Sequence, residues 1–147
     1  MKPLIIIATD HAGLGLKDFV RGYLDSNGYE CLDLSPREGE RVDYPDYARA
    51  LCEAMGERIE SSKPCFGILI CGSGIGMSIA ANRHRHIRAA LATDAYMAKM
   101  ARAHNNANVL CMGERISGVG EVESILEAFL GTAFEGGRHL ARVQKLS

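Results

Sequence analysis

Short apolar runs alternate with amphipathic helical stripes along the whole chain, and that alternation leaves few folds open. Residues 4–9 are almost wholly apolar, as a strand buried on both faces requires. Leu16, Phe19, Val20, Tyr23 and Leu24 then recur at helical spacing, with Gly28 placed to end that helix. Residues 29–34 read as a second strand and 35–43 as a polar loop. Pro45 suits the first turn of a helix whose buried stripe is Ala48, Leu51, Cys52, Met55 and Ile59. Residues 66–70, 87–92 and 108–112 supply three further strands. Between and after them the pattern predicts a helix ending near residue 83 and one running from an Asp94 N-cap through His104. A helix carrying Val122, Ile125, Leu126, Phe129 and Leu130 follows, and a short basic helix lies within 137–145.

Five strands with intervening helices imply an α/β fold, a doubly wound parallel sheet with helices on both faces. A flavodoxin-like, Rossmann-like strand order of 2-1-3-4-5 is expected. In that order the first and third strands flank the switch point, so Asp10-His11 and Cys71-Gly72-Ser73 meet in one crevice. Residues 1–147 show no linker, repeat or low-complexity tract and read as one domain. A domain of this size buries roughly 70% of its unfolded surface and needs no disulfide or metal to hold a core.

Lys and Arg number 17 against 18 Asp and Glu, a balance that argues against a broad nucleic-acid footprint. No apolar run approaches the roughly 20 residues of a membrane span, and the first residues lack the features of a signal peptide. The cysteines at 31, 52, 65, 71 and 111 are odd in number and show no C-x-x-C spacing. Neither a disulfide framework nor a metal site is indicated, and a reducing cytoplasm is the expected home.

The run Cys71-Gly72-Ser73-Gly74-Ile75-Gly76 follows a strand and opens a helix. Unpaired N–H groups at a helix start favour an anion, and the same field favours a thiolate. The run is not a Walker loop, because no lysine follows it, nor a dinucleotide fingerprint, which belongs to the first strand–helix unit. A Cys-x5-Arg phosphatase loop needs arginine where Met77 stands. Cys71 is then either a buried strand-end thiol or a base or nucleophile acting on a small anionic substrate. Asp10 and His11 are turn residues or, with Cys71, parts of one crevice. His104 with Asn105 reads equally as a helix-terminal pair or as site residues. Arg138 and Arg142 stand four apart, which suits a dianionic phosphate as well as a solvated face. The run Arg83-His84-Arg85-His86 reads as exposed surface away from the crevice.

With these residues placed, the chain resembles the ribose-5-phosphate isomerase B family, which includes allose- and galactose-6-phosphate isomerases. The likeness rests on Asp10-His11-Ala12-Gly13, Asp43-Tyr44-Pro45, the glycine loop from Cys71 and His104-Asn105 with Asn108-Val109-Leu110. Gly113-Glu114-Arg115 and the segment from Phe134 through His139 with Arg142 extend it over essentially the whole chain. The resemblance implies a metal-free, cofactor-free aldose–ketose isomerase acting on ribose 5-phosphate and ribulose 5-phosphate. A six-carbon sugar phosphate is the nearest alternative, and a non-catalytic phosphosugar-binding module the more distant one. By the same resemblance Cys71 is the base that moves a proton between C2 and C1 through a cis-enediol. Ser73 and the N–H groups of Gly72, Gly74, Ile75 and Gly76 hold the enediolate oxygen. His104 assists ring opening with Asp10 nearby, Tyr44 and Asn105 contact the sugar, and His11, Arg115, Arg138 and Arg142 bind phosphate. Some members carry a glutamate base a few residues after the cysteine position; Met77 places this chain in the cysteine type. The family builds its site between two chains, which implies a homodimer with shared sites, or a tetramer of two such dimers.

Overall fold

A computed structural model describes residues 2–146. The elements follow as β1 (Leu4–Thr9), α1 (Leu14–Ser26), β2 (Cys31–Asp33), α2 (Tyr44–Glu60), β3 (Cys65–Cys71) and α3 (Ile75–Ala81). β4 (Ala89–Leu91), α4 (Ala95–Asn105), β5 (Val109–Gly113), α5 (Val119–Gly131) and α6 (Arg138–Gln144) complete them. Local chemistry accounts for several boundaries. The Asp94 carboxylate accepts the Met97 N–H at 2.8 Å and starts α4. Gly28, at φ +76°, takes the left-handed turn that ends α1.

All strand pairs are parallel, and the order is β2-β1-β3-β5-β4. The expected order 2-1-3-4-5 is therefore wrong in its last two strands. The physical reason is strand length: β5 runs for five residues and β4 for three, and in these places the five are buried and the three half-buried. A long apolar strand belongs between neighbours, and a short one tolerates an edge. The switch point between β1 and β3 is unaffected, with Thr9 paired to Ile70.

Side chains alternate across the sheet. Ile5, Ile7, Ile68, Ile70, Leu110 and Met112 face α1, α4 and α5, where Val20, Leu24, Ala98, Val122, Ile125 and Phe129 complete one core. Ile6, Ala8, Leu69, Cys71, Val109 and Cys111 face α2 and α3 and pack on Leu51, Cys52, Met55, Met77 and Ala81. Cys71 thus points to the α2–α3 side. Ile59, expected in the α2 stripe, is instead 43% exposed. Among the described residues no helix is long and apolar enough to cross a membrane.

Asp33 ties α1 to the sheet, accepting from Lys17 at 3.0 Å and from Arg21 at 3.3 Å. Burial pushes its carboxyl upward, but hydrogen bonds from Ser35 and Lys17 outweigh burial and hold it below the usual range. A lowered carboxylate stabilises the fold above its unfolded pKa of about 3.9 and loses that contribution as pH falls through its folded value. Asp33→Asn is therefore expected to cost stability near neutrality. Urea midpoints should show the gap to wild type narrowing as pH falls below about 4.

Candidate active site

One group of the expected residues gathers at the C-terminal ends of β1, β3 and β5. Beyond β1 the Asp10 N–H donates to the Ile70 carbonyl at 3.3 Å, which keeps the chain against β3 for one more residue. The Asp10 carboxylate accepts the Ala12 N–H at 2.9 Å, and its carbonyl accepts the Gly13 N–H at 3.3 Å, so the chain turns at once into α1. Asp10 is 8% exposed. His11 points outward and, through Nδ1, accepts the Val42 N–H at 3.1 Å, pinning the loop before α2.

Cys71 closes β3 with 6% exposure, and its Sγ accepts the Gly74 N–H at 3.1 Å. Gly74 adopts φ +80°, and a Cβ there would lie 2.7 Å from Leu91 Cδ1. The Ile75 N–H is taken by Ser73 Oγ at 3.2 Å, so the loop uses that donor internally. Among the described residues the amides of Gly72, Ser73 and Gly76 have no acceptor. Ser73 rests directly on Gly113, where a Cβ would lie 2.5 Å from the Ser73 carbonyl carbon. Arg115 lies along Gly72, and the Tyr44 ring covers Gly76 so closely that a Cβ would sit 2.6 Å from Cε1. Asp10, His11, Tyr44, Cys71 to Gly76 and Arg115 thus form one cluster.

A second group forms around the end of α4. The His104 and His139 rings stack with centroids 4.1 Å apart and planes 13° from parallel. Glu135 reaches both, at 3.7 Å from His104 Nε2 and 3.8 Å from His139 Nε2. The Glu135 N–H also donates to the Ala103 carbonyl at 3.0 Å, which docks the segment before α6 onto α4. Arg138 and Arg142 are exposed on α6, with no carboxylate partner among the described residues. Asn105 borders a hollow of about 550 Å³ with Arg83, His84 and Arg88.

These two groups lie at opposite ends of the sheet. α4 runs back from the C-terminal end of β4 to the N-terminal end of β5. Its Arg102 guanidinium stands 4.6 Å from the ring centroid of Phe66, near the start of β3. Cys71 lies five residues further along the strand, about 17 Å at 3.3 Å per residue. One chain therefore does not bring His104, Asn105, Arg138 and Arg142 to Cys71.

Burial distinguishes the other thiols. It pushes Cys31 up to about 11 and Cys52 up to about 12, and it also raises Cys65 and Cys111. Those four stay protonated at neutral pH. Burial, the His104 imidazole and the Arg138 guanidinium lower the pKa of His139. His104, Glu135 and His139 are the trio among the described residues whose donor atoms cluster as metal ligands would. Two nearly parallel rings cannot both aim in-plane lone pairs at one ion, so this arrangement suits hydrogen bonding to a substrate better than metal binding.

Sequence reasoning gave no role to three of these residues. His139 and Glu135 were visible as an i,i+4 pair beside Arg138. Glu114 had no local signal, because its partner is the Leu16 N–H, 98 positions away, accepted at 2.8 Å. The run 83–86 is also more than exposed surface, since His86 Nε2 lies 2.7 Å from the Cys52 carbonyl. A cavity of about 740 Å³ between α1 and α5 contains none of the expected site residues.

The close contact at Gly113 gives a test of opposite signs. Gly113→Ala is expected to lose about 1–3 kcal/mol by overpacking against Ser73. Gly22→Ala, in mid-α1 with open space around it, should gain about 0.4–1 kcal/mol. Urea unfolding of both variants checks the pair.

The model of the family described as Ribose/Galactose Isomerase matches residues 5–146. Ribose-5-phosphate isomerase B of Escherichia coli (strain K12) is 40% identical over 144 residues, covering 97% of this chain and 93% of the relative. A putative sugar phosphate isomerase of Bacillus subtilis (strain 168) is 43% identical over 144 residues, covering 97% and 94%. Among solved structures, ribose 5-phosphate isomerase B from Anaplasma phagocytophilum superposes with a TM-score of 0.91 at 46% identity, over 99% of this chain and 97% of that one. The Thermotoga maritima ribose 5-phosphate isomerase also gives 0.91 at 46% identity, over 99% and 98%. Family match, sequence identity and fold agree along the whole described chain: it belongs to the ribose/galactose isomerase family.

Proposed function

We propose that the chain is an aldose–ketose isomerase that interconverts ribose 5-phosphate and ribulose 5-phosphate, with Cys71 as the base. The observation that carries this reading is the Cys71 sulfur held at 3.1 Å by the Gly74 N–H, beside loop amides with no acceptor among the described residues. In the aldose-to-ketose direction the Cys71 thiolate takes the C2 proton and negative charge moves to O1. The thiol then returns a proton to C1, while the O2 proton passes to O1 and the carbonyl forms at C2. The amides of Gly72, Ser73 and Gly76 face the developing charge. A well-placed donor of this kind supplies roughly 3–4 kcal/mol. Fixed N–H dipoles do this polarising work, so the reaction as drawn needs neither metal nor cofactor.

The rest of the site combines two copies of the chain, with His104, Asn105, Arg138 and Arg142 coming from the second copy. His104 opens the furanose ring, with Asp10 holding a sugar hydroxyl or the ring oxygen, and Tyr44 and Asn105 contact the sugar. His11, Arg115, Arg138 and Arg142 hold the phosphate; its binding energy positions C1 and C2 over the sulfur. Two observations support a homodimer with shared sites. His104, Arg138 and Arg142 stand at the far end of the sheet from Cys71. Ile75 and Ile79 on α3, Tyr96 and Met97 on α4 and Leu140 on α6 expose large apolar surfaces that a partner would cover. The five free cysteines suit a reducing, cytoplasmic setting for this one-domain enzyme.

Cys71→Ala is expected to fold normally and to lose turnover by at least about 100-fold, together with exchange of the C2 proton with solvent. Full activity in that variant would remove Cys71 from the chemistry. Rates on ribose 5-phosphate should exceed those on allose 6-phosphate; a large preference for the hexose would move the substrate to six carbons, and binding without turnover by reduced wild type would leave only a binding module. His104→Ala should lose more activity on the cyclic sugar than on an acyclic one, and equal losses would contradict the ring-opening role.

A further inference from the structure

At the N-terminal edge of the sheet, on the end opposite Cys71, lies a cavity of about 590 Å³. Lys63, Arg85, Arg88 and Arg102 line it together with His86, and no Asp or Glu does. The chain as a whole has 17 basic and 18 acidic side chains, so four cations without a counter-charge in one hollow is a local imbalance. Arg102 is 7% exposed. Its Nε donates to the Thr132 carbonyl at 3.3 Å and its Nη1 to Asn106 Oδ1 at 3.1 Å, but its Nη2 has no acceptor among the described residues. Arg88 donates through Nε to the Asn106 carbonyl at 2.7 Å, and its two terminal nitrogens also have no acceptor among the described residues. Neither guanidinium has a carboxylate partner there, in contrast to Arg21 with Asp33 and Arg49 with Asp46. Burial weakens the hold of both on their protons, and the Arg88 charge adds to this at Arg102.

Guanidinium groups that line one hollow without an acid are costly, because desolvation and mutual repulsion act together. An anion in the cavity removes both penalties, and arginine's planar donors match phosphate oxygens. We infer that this cavity is a second anion site, built for a small molecule carrying two or more linked phosphate groups. A single phosphate does not balance four cations. The apolar residues of the lining, Ile59 and Phe66 among them, accept the organic part of such a molecule. Exposure of Ile59, unexplained by the packing of α2, fits this role. The site is separate from the phosphate subsite proposed at Arg138 and Arg142 and does not rest on the reaction assigned to Cys71.

Calorimetric titration of the wild-type protein with pyrophosphate tests it. Wild type should bind, and Lys63→Glu with Arg85→Glu, both exposed positions that leave the core intact, should weaken binding at least tenfold. Arg88→Gln should weaken it similarly, with circular dichroism checking that this variant folds. Arg138→Ala with Arg142→Ala should retain binding at the second site. The inference is overturned if wild type shows no binding at millimolar pyrophosphate, if the Lys63/Arg85 variant binds as wild type does, or if binding disappears only in the Arg138/Arg142 variant.

Discussion

A Cβ on Gly113 would lie 2.5 Å from the Ser73 carbonyl carbon, so the loop after β3 rests on β5 only because β5 ends in glycine. That backbone contact sets how closely the loop at Ser73 lies on the sheet. The residues that follow Gly113 depend on the same seam. The Glu114 N–H donates to the Cys71 carbonyl at 3.0 Å, and the Arg115 N–H to the Gly72 carbonyl at 3.0 Å. The Glu114 carboxylate then caps α1 through Leu16, which fixes the helix behind Asp10 and His11. Three segments distant in sequence are thereby held as one rigid rim, the preorganisation that proton abstraction beside a carbonyl requires.

The exchange of β4 and β5 matters for that rim. With β4 beside β3, the residues after Leu91 would stand where Gly113 stands, and no glycine is there to admit Ser73. The helical stripes, the switch point and the meeting of Asp10 with Cys71 were legible because periodicity and strand order near β1 are local properties. The order of the last two strands was not legible from periodicity alone, since both runs are apolar. The burial that separates them comes from their neighbours. Glu114 was invisible as a cap for the same kind of reason, its partner lying 98 positions away. The glycine loop was legible as an anion site, but not which of its amides are already used. Ser73 Oγ takes the Ile75 N–H, and Cys71 Sγ takes that of Gly74.

The expected site residues divide into two sets with different chemistry. The set at the C-terminal edge holds the thiol, the free amides and Asp10, and suits charge developing on a sugar oxygen. The set on α4 and α6 holds two stacked imidazoles, Glu135 and two arginines with no carboxylate partner among the described residues, and suits a phosphate and a ring oxygen. The proposed reaction needs both sets. A two-fold pair of chains that brings one set of each copy to the other set of its partner would make two complete sites. It would also cover the apolar side chains left exposed on α3, α4 and α6.

Mixing two inactive variants tests that division most directly. Cys71→Ala and His104→Ala, unfolded together and refolded at equal concentration, form mixed dimers in which one site has lost both groups and the other has lost neither. Sharing across the two-fold predicts recovery of about a quarter of wild-type activity, since half of the dimers are mixed and each carries one intact site. Recovery no greater than the sum of the two variants alone, with mixed dimers shown to be present, would contradict a site built from two chains.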